Sequence, residues 1–172
     1  MHKVLYILGS MTEQDLEWMA TMGARRWVPA GTVLIHQNRP SASLYFILDG
    51  TVSVEIHGIG EVARLGCGAI FGEMSFVDHR PPSANVLTLR ECVVLELAVS
   101  AVAARLDQDV GFSARFHRGI ARFLSDRLHD AIDRLHARSP SRIDTELDIE
   151  TLGEFQQAGQ RFNAMLKKLM TA

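Results

Sequence analysis

The stretch Gly66-Cys67-Gly68-Ala69-Ile70-Phe71-Gly72-Glu73-Met74-Ser75-Phe76-Val77-Asp78-His79-Arg80-Pro81-Pro82-Ser83-Ala84-Asn85-Val86 carries residue types suited to holding an anion joined to a sugar. Its glycines at 66, 68 and 72 allow a tight turn and close approach of the backbone. Residues 73–77 can form one helical turn, whose unpaired N–H dipoles face the loop returning through Arg80 to Ala84. Glu73 beside that turn offers a carboxylate to vicinal hydroxyls, as on a ribose. The combination suits a phosphate-plus-sugar ligand. A strand-crossing loop with no ligand has the same composition, and residue types leave both open.

The surrounding elements must position that stretch. Residues 11–22 read as a short amphipathic helix, with Thr12 at the N-cap position and Leu16, Met19 and Met22 at helical intervals. From Arg25 to Leu97 the texture becomes short β-rich runs separated by turn residues. Asp49-Gly50 between two such runs predicts a hairpin, because both central residues of that turn favour positive φ. Six or more short strands at this spacing indicate an antiparallel sandwich or roll rather than βαβ units. A helix over 99–106 follows, then a longer one over 112–137 with Phe112, Phe116, Ile120, Phe123, Leu124, Leu128, Ile132 and Leu135 on one side. Ser139-Pro140-Ser141 breaks it. A last helix is expected from about Ile149, with Thr151 and Glu154 at capping-box spacing and a heptad-like seam from Leu152 to Leu169. The fold class is mainly β with flanking helices.

Composition narrows the functions. The chain has 172 residues, 18 Lys+Arg against 20 Asp+Glu, a net charge of −2 and 47% hydrophobic residues. A chain of this length buries roughly 70% of its unfolded surface, enough for a real core. A charge near zero argues against a nucleic-acid coat or a polybasic membrane patch. Cys67 and Cys92 are too few for a disulfide scaffold or a four-thiolate zinc site. No apolar run reaches the 18 or more residues of a membrane span, and Val4–Leu8 is short for a signal segment. The expectation is a cytoplasmic protein without membrane or nucleic-acid partners.

The motif Phe71-Gly72-Glu73-Met74-Ser75-Phe76, four residues, then Pro81-Pro82-Ser83-Ala84-Asn85-Val86 resembles the phosphate-binding cassette of the cyclic nucleotide-binding domain family. That family includes the catabolite activator protein and the regulatory subunit of protein kinase A. The resemblance implies an antiparallel β-roll of the double-stranded β-helix, jelly-roll-like type. It places a nucleotide-binding-like domain over 1–138, with the roll at about 23–98, the cassette at 66–86 and helices over 99–138. Residues 139–172 are then a linker and helical tail with no room for a DNA-reading module. It further implies ligand contacts from Phe71, Gly72, Glu73, Met74, Ser75, Ser83 and Ala84, with Gly72 and Glu73 on the sugar side and the Ser75 N–H on phosphate.

One position departs from the family pattern. Where the family has an arginine that pairs with the cyclic phosphate, this chain has Pro82. Charge-assisted hydrogen bonds contribute roughly 1.5–3 kcal/mol each. Losing such a pair weakens binding by about 3 kcal/mol, or two decades. Cyclic AMP or cyclic GMP is therefore expected to bind weakly or not at all. Arg80 lies two residues earlier in a stretch that Pro81 biases toward extended geometry. Its side chain then shares the direction of position 82, displaced by about 6–7 Å, and Arg80 is a candidate replacement cation or a plain solvent-facing arginine.

The remaining features are weaker. Arg115, Arg118, Arg122, Arg127, Arg134 and Arg138 against Asp126, Asp130 and Asp133 read mostly as a solvated helix face paired within itself. His117, His129 and His136 read as surface histidines, and Cys67 as a small structural residue. In the family the long helix also forms a dimer seam, so 112–137 is expected to mediate a homodimer. The expected function is a non-enzymatic regulatory sensor of a small anionic or nucleotide ligand, without catalytic or metal-ligating residues or a resident cofactor. The alternatives are a ligand-free protein–protein adaptor on the same fold, or a metal-dependent double-stranded β-helix enzyme, for which only His36, His57 and His79 are on offer in the β region.

Overall fold

Thr12 and Asp15 begin the helix over Glu13–Met22 by capping one another. The Asp15 N–H donates to Thr12 Oγ1 (3.3 Å), and the Thr12 N–H donates to Asp15 Oδ2 (2.8 Å), a capping box that satisfies two orphan donors. This computed structural model describes residues 9–137; the linker and seam expected over 139–172 lie outside the described residues. Helix α1 (Glu13–Met22) leads into eight strands. These are β1 (Ala24–Val28), β2 (Val33–Ile35), β3 (Ser43–Asp49), β4 (Thr51–Ile56), β5 (Gly60–Gly66), β6 (Ile70–Phe71), β7 (Asn85–Thr88) and β8 (Cys92–Ala98). They form two antiparallel four-stranded sheets, ordered β1-β8-β3-β6 and β2-β7-β4-β5. Helix α2 (Glu73–Asp78) interrupts the strands, and α3 (Val99–Gln108) and α4 (Val110–Ala137) follow them.

The apolar runs of β3 and β8 are nearly continuous because both faces of their sheet are covered. Leu44, Phe46 and Leu48 of β3 and Val93, Leu95 and Leu97 of β8 join a cluster with the helices. Their alternate neighbours Tyr45, Ile47, Cys92 and Val94 join a second cluster inside the roll, with Val52 and Val54 of β4 and Leu65 of β5. The result is three layers: helices, the β1-β8-β3-β6 sheet, and the β2-β7-β4-β5 sheet.

The hairpin expected at Asp49-Gly50 does not form. β3 pairs with β8 and β6, whereas β4 pairs with β5 and β7, so these residues turn a corner between sheets. Gly50 adopts φ 111°, and a Cβ there would stand 2.8 Å from Cys92 Cα. The glycine is required by proximity to β8 as well as by its φ. The local hairpin is instead β4–β5.

Helix α4 starts two residues before the expected Phe112 because Asp109 caps it, its carboxylate accepting from the Phe112 N–H at 2.8 Å. Phe112, Phe116, Ile120 and Phe123 are all buried beneath it. Trp18 of α1 meets Phe112 edge-on at 5.3 Å, and Phe76 of α2 meets Phe116 at 5.7 Å. Arg115 turns off the helix to Asp15, with Nε and Nη2 donating at 2.6 and 2.9 Å. The expected self-paired helix face is therefore corrected at this residue.

Burial alone would raise the Asp15 carboxyl, but Arg115 and the Thr12 hydrogen bonds outweigh it and hold the group below its ordinary value. A depressed carboxyl stabilises the fold above its unfolded pKa, and the contribution fades as pH falls through the folded value. Asp15→Ala should thus cost about 3 kcal/mol at neutral pH. In urea titrations that deficit should narrow below about pH 4.

Candidate functional site

Phe71 ends β6 with its ring stacked on Tyr45, centroids 4.9 Å apart. Gly72 then reverses the chain at φ 90°, and a Cβ at this position would lie 2.8 Å from the Ser43 carbonyl oxygen. Only glycine combines that φ with that closeness, so Glu73 enters α2 pressed against β3. His79, at φ 57°, ends the helix by donating its N–H to the Ser75 carbonyl at 3.0 Å. The chain returns through exposed Arg80 and Pro81 to buried Pro82, whose carbonyl accepts from the Asn38 N–H at 2.8 Å.

Between the outgoing and returning segments lies a concavity with about 460 Å³ of empty space, part of it open to solvent. Ile35, Val54, Leu65 and Val86 supply an apolar floor. Phe71, Gly72, Glu73, Met74 and Ser75 form one wall, and Pro82, Ser83 and Ala84 the other. Arg80 alone among the residues expected from sequence is not in the lining. Its side chain is 84% exposed and its Nε lies 4.0 Å from Asp78 Oδ2. Its own N–H donates to Asp78 Oδ1 at 3.0 Å. The left-handed turn at His79 and the Asp78 carboxylate keep Arg80 at the surface, and it does not take the place that Pro82 leaves without charge.

A different cation is present. Arg127, from α4, lines the same concavity and donates from Nη1 to Glu73 Oε1. Glu73 is only 1% exposed. Its burial raises the carboxyl, and the Arg127 charge pulls in the opposite direction. The Arg127 guanidinium also lies over the Phe123 ring, 5.6 Å from its centroid, an attraction that aims the fork inward. Among the described residues lining the concavity, Arg127 is the one cation.

Arg127 departs from the self-paired helix face expected of the α4 arginines. The signal was its spacing: Phe116, Ile120, Phe123 and Arg127 recur at steps of four, three and four. An arginine thus occupies the next turn of a buried stripe.

A second surface depression brings His36, Gln37, Asn38, Arg39, His57 and Asn85 together. Its shape follows from the Gln37 N–H donating to Asn85 Oδ1 and the His57 N–H to Gln37 Oε1. Among the described residues no group of three or more His, Cys, Asp or Glu is placed to hold a metal ion. Cys67 donates its S–H to the Leu48 carbonyl, Sγ···O 3.0 Å, and burial pushes its thiol up. It is not a poised thiolate. His117 and His129 lie against the carbonyls four residues earlier in α4.

Residues 25–109 match the family described as the cyclic nucleotide-binding domain. An uncharacterized NTE family protein of Mycobacterium tuberculosis is 31% identical over 121 residues, which is 69% of this chain and 20% of that protein. A cyclic nucleotide-gated potassium channel of Mesorhizobium japonicum is 38% identical over 72 residues, 42% of this chain and 19% of the channel. The chain thus spans about a fifth of the length of these curated relatives. A cyclic nucleotide-binding domain from Methylobacillus flagellatus superposes with TM-score 0.70 at 22% identity, covering 83% of this chain and 85% of that structure.

Breaking a buried pair by removing one partner costs about 3–5 kcal/mol. Arg127→Met should fall at about 3 kcal/mol, since the concavity admits solvent. Thermal and urea unfolding should show that this cost shrinks on acidification toward the raised pKa of Glu73, because a protonated carboxyl needs no cation. Adding Glu73→Gln to Arg127→Met should recover most of the loss.

Proposed function

We propose that this chain, whose residues 25–109 belong to the cyclic nucleotide-binding domain family, is a non-enzymatic regulatory module that senses a small anionic ligand bearing sugar hydroxyls. The observation that carries this reading is the buried carboxylate of Glu73, which lines an open concavity and is held by Arg127 of α4. A ligand whose hydroxyls take Glu73 changes what α4 is fastened to. It acts only so far as it binds one arrangement of α4 better than the other. Phe76 against Phe116 is a second contact between the cassette helix and α4.

Cyclic AMP and cyclic GMP are the first ligands to test. The relative from Mesorhizobium japonicum is described as cyclic nucleotide-gated, and the apolar floor with Glu73 and Ser75 on one wall suits a nucleoside. Pro82 supplies neither charge nor N–H, so affinity is expected in the micromolar range or weaker. The rival reading is an adaptor without a ligand, and it too has an observation in its favour: Arg127 satisfies Glu73 from within the chain.

A homodimer along α4 belongs to the same proposal. Leu128 is 61% and Ile132 39% exposed, one helical turn apart, where the buried stripe runs out past the roll. A cytoplasmic location completes it; no helix among the described residues is long and apolar enough to cross a membrane.

Isothermal titration with each nucleotide should give measurable heat for at least one, and Glu73→Ala should abolish it. Absence of heat with both nucleotides, in the wild type and in Pro82→Arg, overturns the sensor reading and leaves the adaptor. Sedimentation velocity should find a dimer, and Leu128→Glu should shift it to monomer.

A further inference from the structure

The concavity holds one carboxylate and one guanidinium, each the other's partner. The carboxylate comes from the cassette and the guanidinium from α4. We propose that Arg127 is the anion-binding residue of this site, so that the cation absent at Pro82 is supplied from the reporting helix. In this arrangement the Glu73–Arg127 pair is the resting form of the site, and a ligand inserts into it, giving hydroxyls to Glu73 and its anion to Arg127. The inference rests on the sensor reading above.

Four observations support it. Glu73 is almost completely buried, so it tolerates loss of Arg127 only if other donors replace it. Arg127 keeps 26% of its side chain exposed and borders the concavity. The hydrogen bond to Glu73 leaves from Nη1, while a guanidinium carries five N–H donors in a planar fork that matches phosphate oxygens. Pro82 and Ser83 stand on the wall of the same space, so an anion placed there is within the region that the fork borders. Such a site discriminates by charge as well as shape. A ligand with hydroxyls and no anion leaves Arg127 unpaired, and an anion without hydroxyls leaves Glu73 unpaired; both are unfavourable in a partly dry site.

The consequence is a different wiring from a cassette that carries its own arginine. Here the ligand's anion is held by α4 itself, so occupancy and helix position are coupled by direct contact.

Calorimetry with cyclic AMP and cyclic GMP on the wild type, Arg127→Lys, Arg127→Gln and Pro82→Arg tests this. Arg127→Gln retains a donor for Glu73 and removes the charge, which keeps the fold accessible to measurement. Its affinity for whichever nucleotide binds should fall at least about 30-fold. Arg127→Lys should lie between Gln and the wild type, since it keeps charge without the fork. Affinity in Arg127→Gln within threefold of the wild type overturns the assignment and leaves the sensor reading standing. Lys no better than Gln shows a merely structural staple and also overturns it. A nucleotide bound by Pro82→Arg and not by the wild type shows that Arg127 does not serve, again overturning it alone. Silence in both the wild type and Pro82→Arg overturns the sensor reading together with this inference.

Discussion

A buried carboxylate with a single cationic neighbour sets the terms for the rest of this molecule. Glu73 is held out of water at the start of α2, and an ionised carboxyl in such a place demands compensation. Arg127 provides it from a helix 54 positions away in the chain. The cassette and α4 are thereby joined energetically, because the cassette supplies no cation for that charge. The cost of desolvating both groups offsets much of their attraction, so the pair is a weak source of net stability even though losing one partner is costly.

The long helix is tied down twice by ion pairs that leave its own surface. Arg115 reaches Asp15 at the start of α1, and Arg127 reaches Glu73 at the start of α2. These two positions are 12 residues apart, about 18 Å along the axis. Between them the buried stripe of Phe116, Ile120 and Phe123 fills the space above β3 and β8. Apolar packing determines which face of α4 looks inward, and the two charge pairs determine its register. Packing alone tolerates sliding among similar side chains, whereas directed charge pairs, bidentate at Arg115–Asp15, do not.

Pro82 takes its structural role from this setting. Proline there buries its ring in the wall and offers its carbonyl to the Asn38 N–H. The wall is thus closed by apolar surface and a backbone hydrogen bond, and the one cation among the described lining residues is Arg127. Arg80 is close in sequence and still irrelevant to that space, because Asp78 and the left-handed His79 direct it outward.

Much of this was legible in the residues. Thr12 as a cap, the alternation of short β runs, the glycine at 72 and the Phe112–Phe123 stripe all rest on local rules, which involve neighbours within about one helical turn or one strand pair. Glu73, Ser75 and Ala84 of the motif line one concavity, an arrangement that the fold of the returning segment brings about. What failed was non-local. Asp49-Gly50 has the composition of a hairpin, and becomes a corner because β3 finds β8 and β6, not β4. Arg127 looks like one surface arginine among six until the tertiary fold sets it beside a buried acid. Sequence by itself determined the elements, the chemical character of the pocket wall and the place of Arg127 on the inward stripe of α4; only the packing of α4 across the roll set that arginine beside Glu73, since no local rule links partners 54 positions apart.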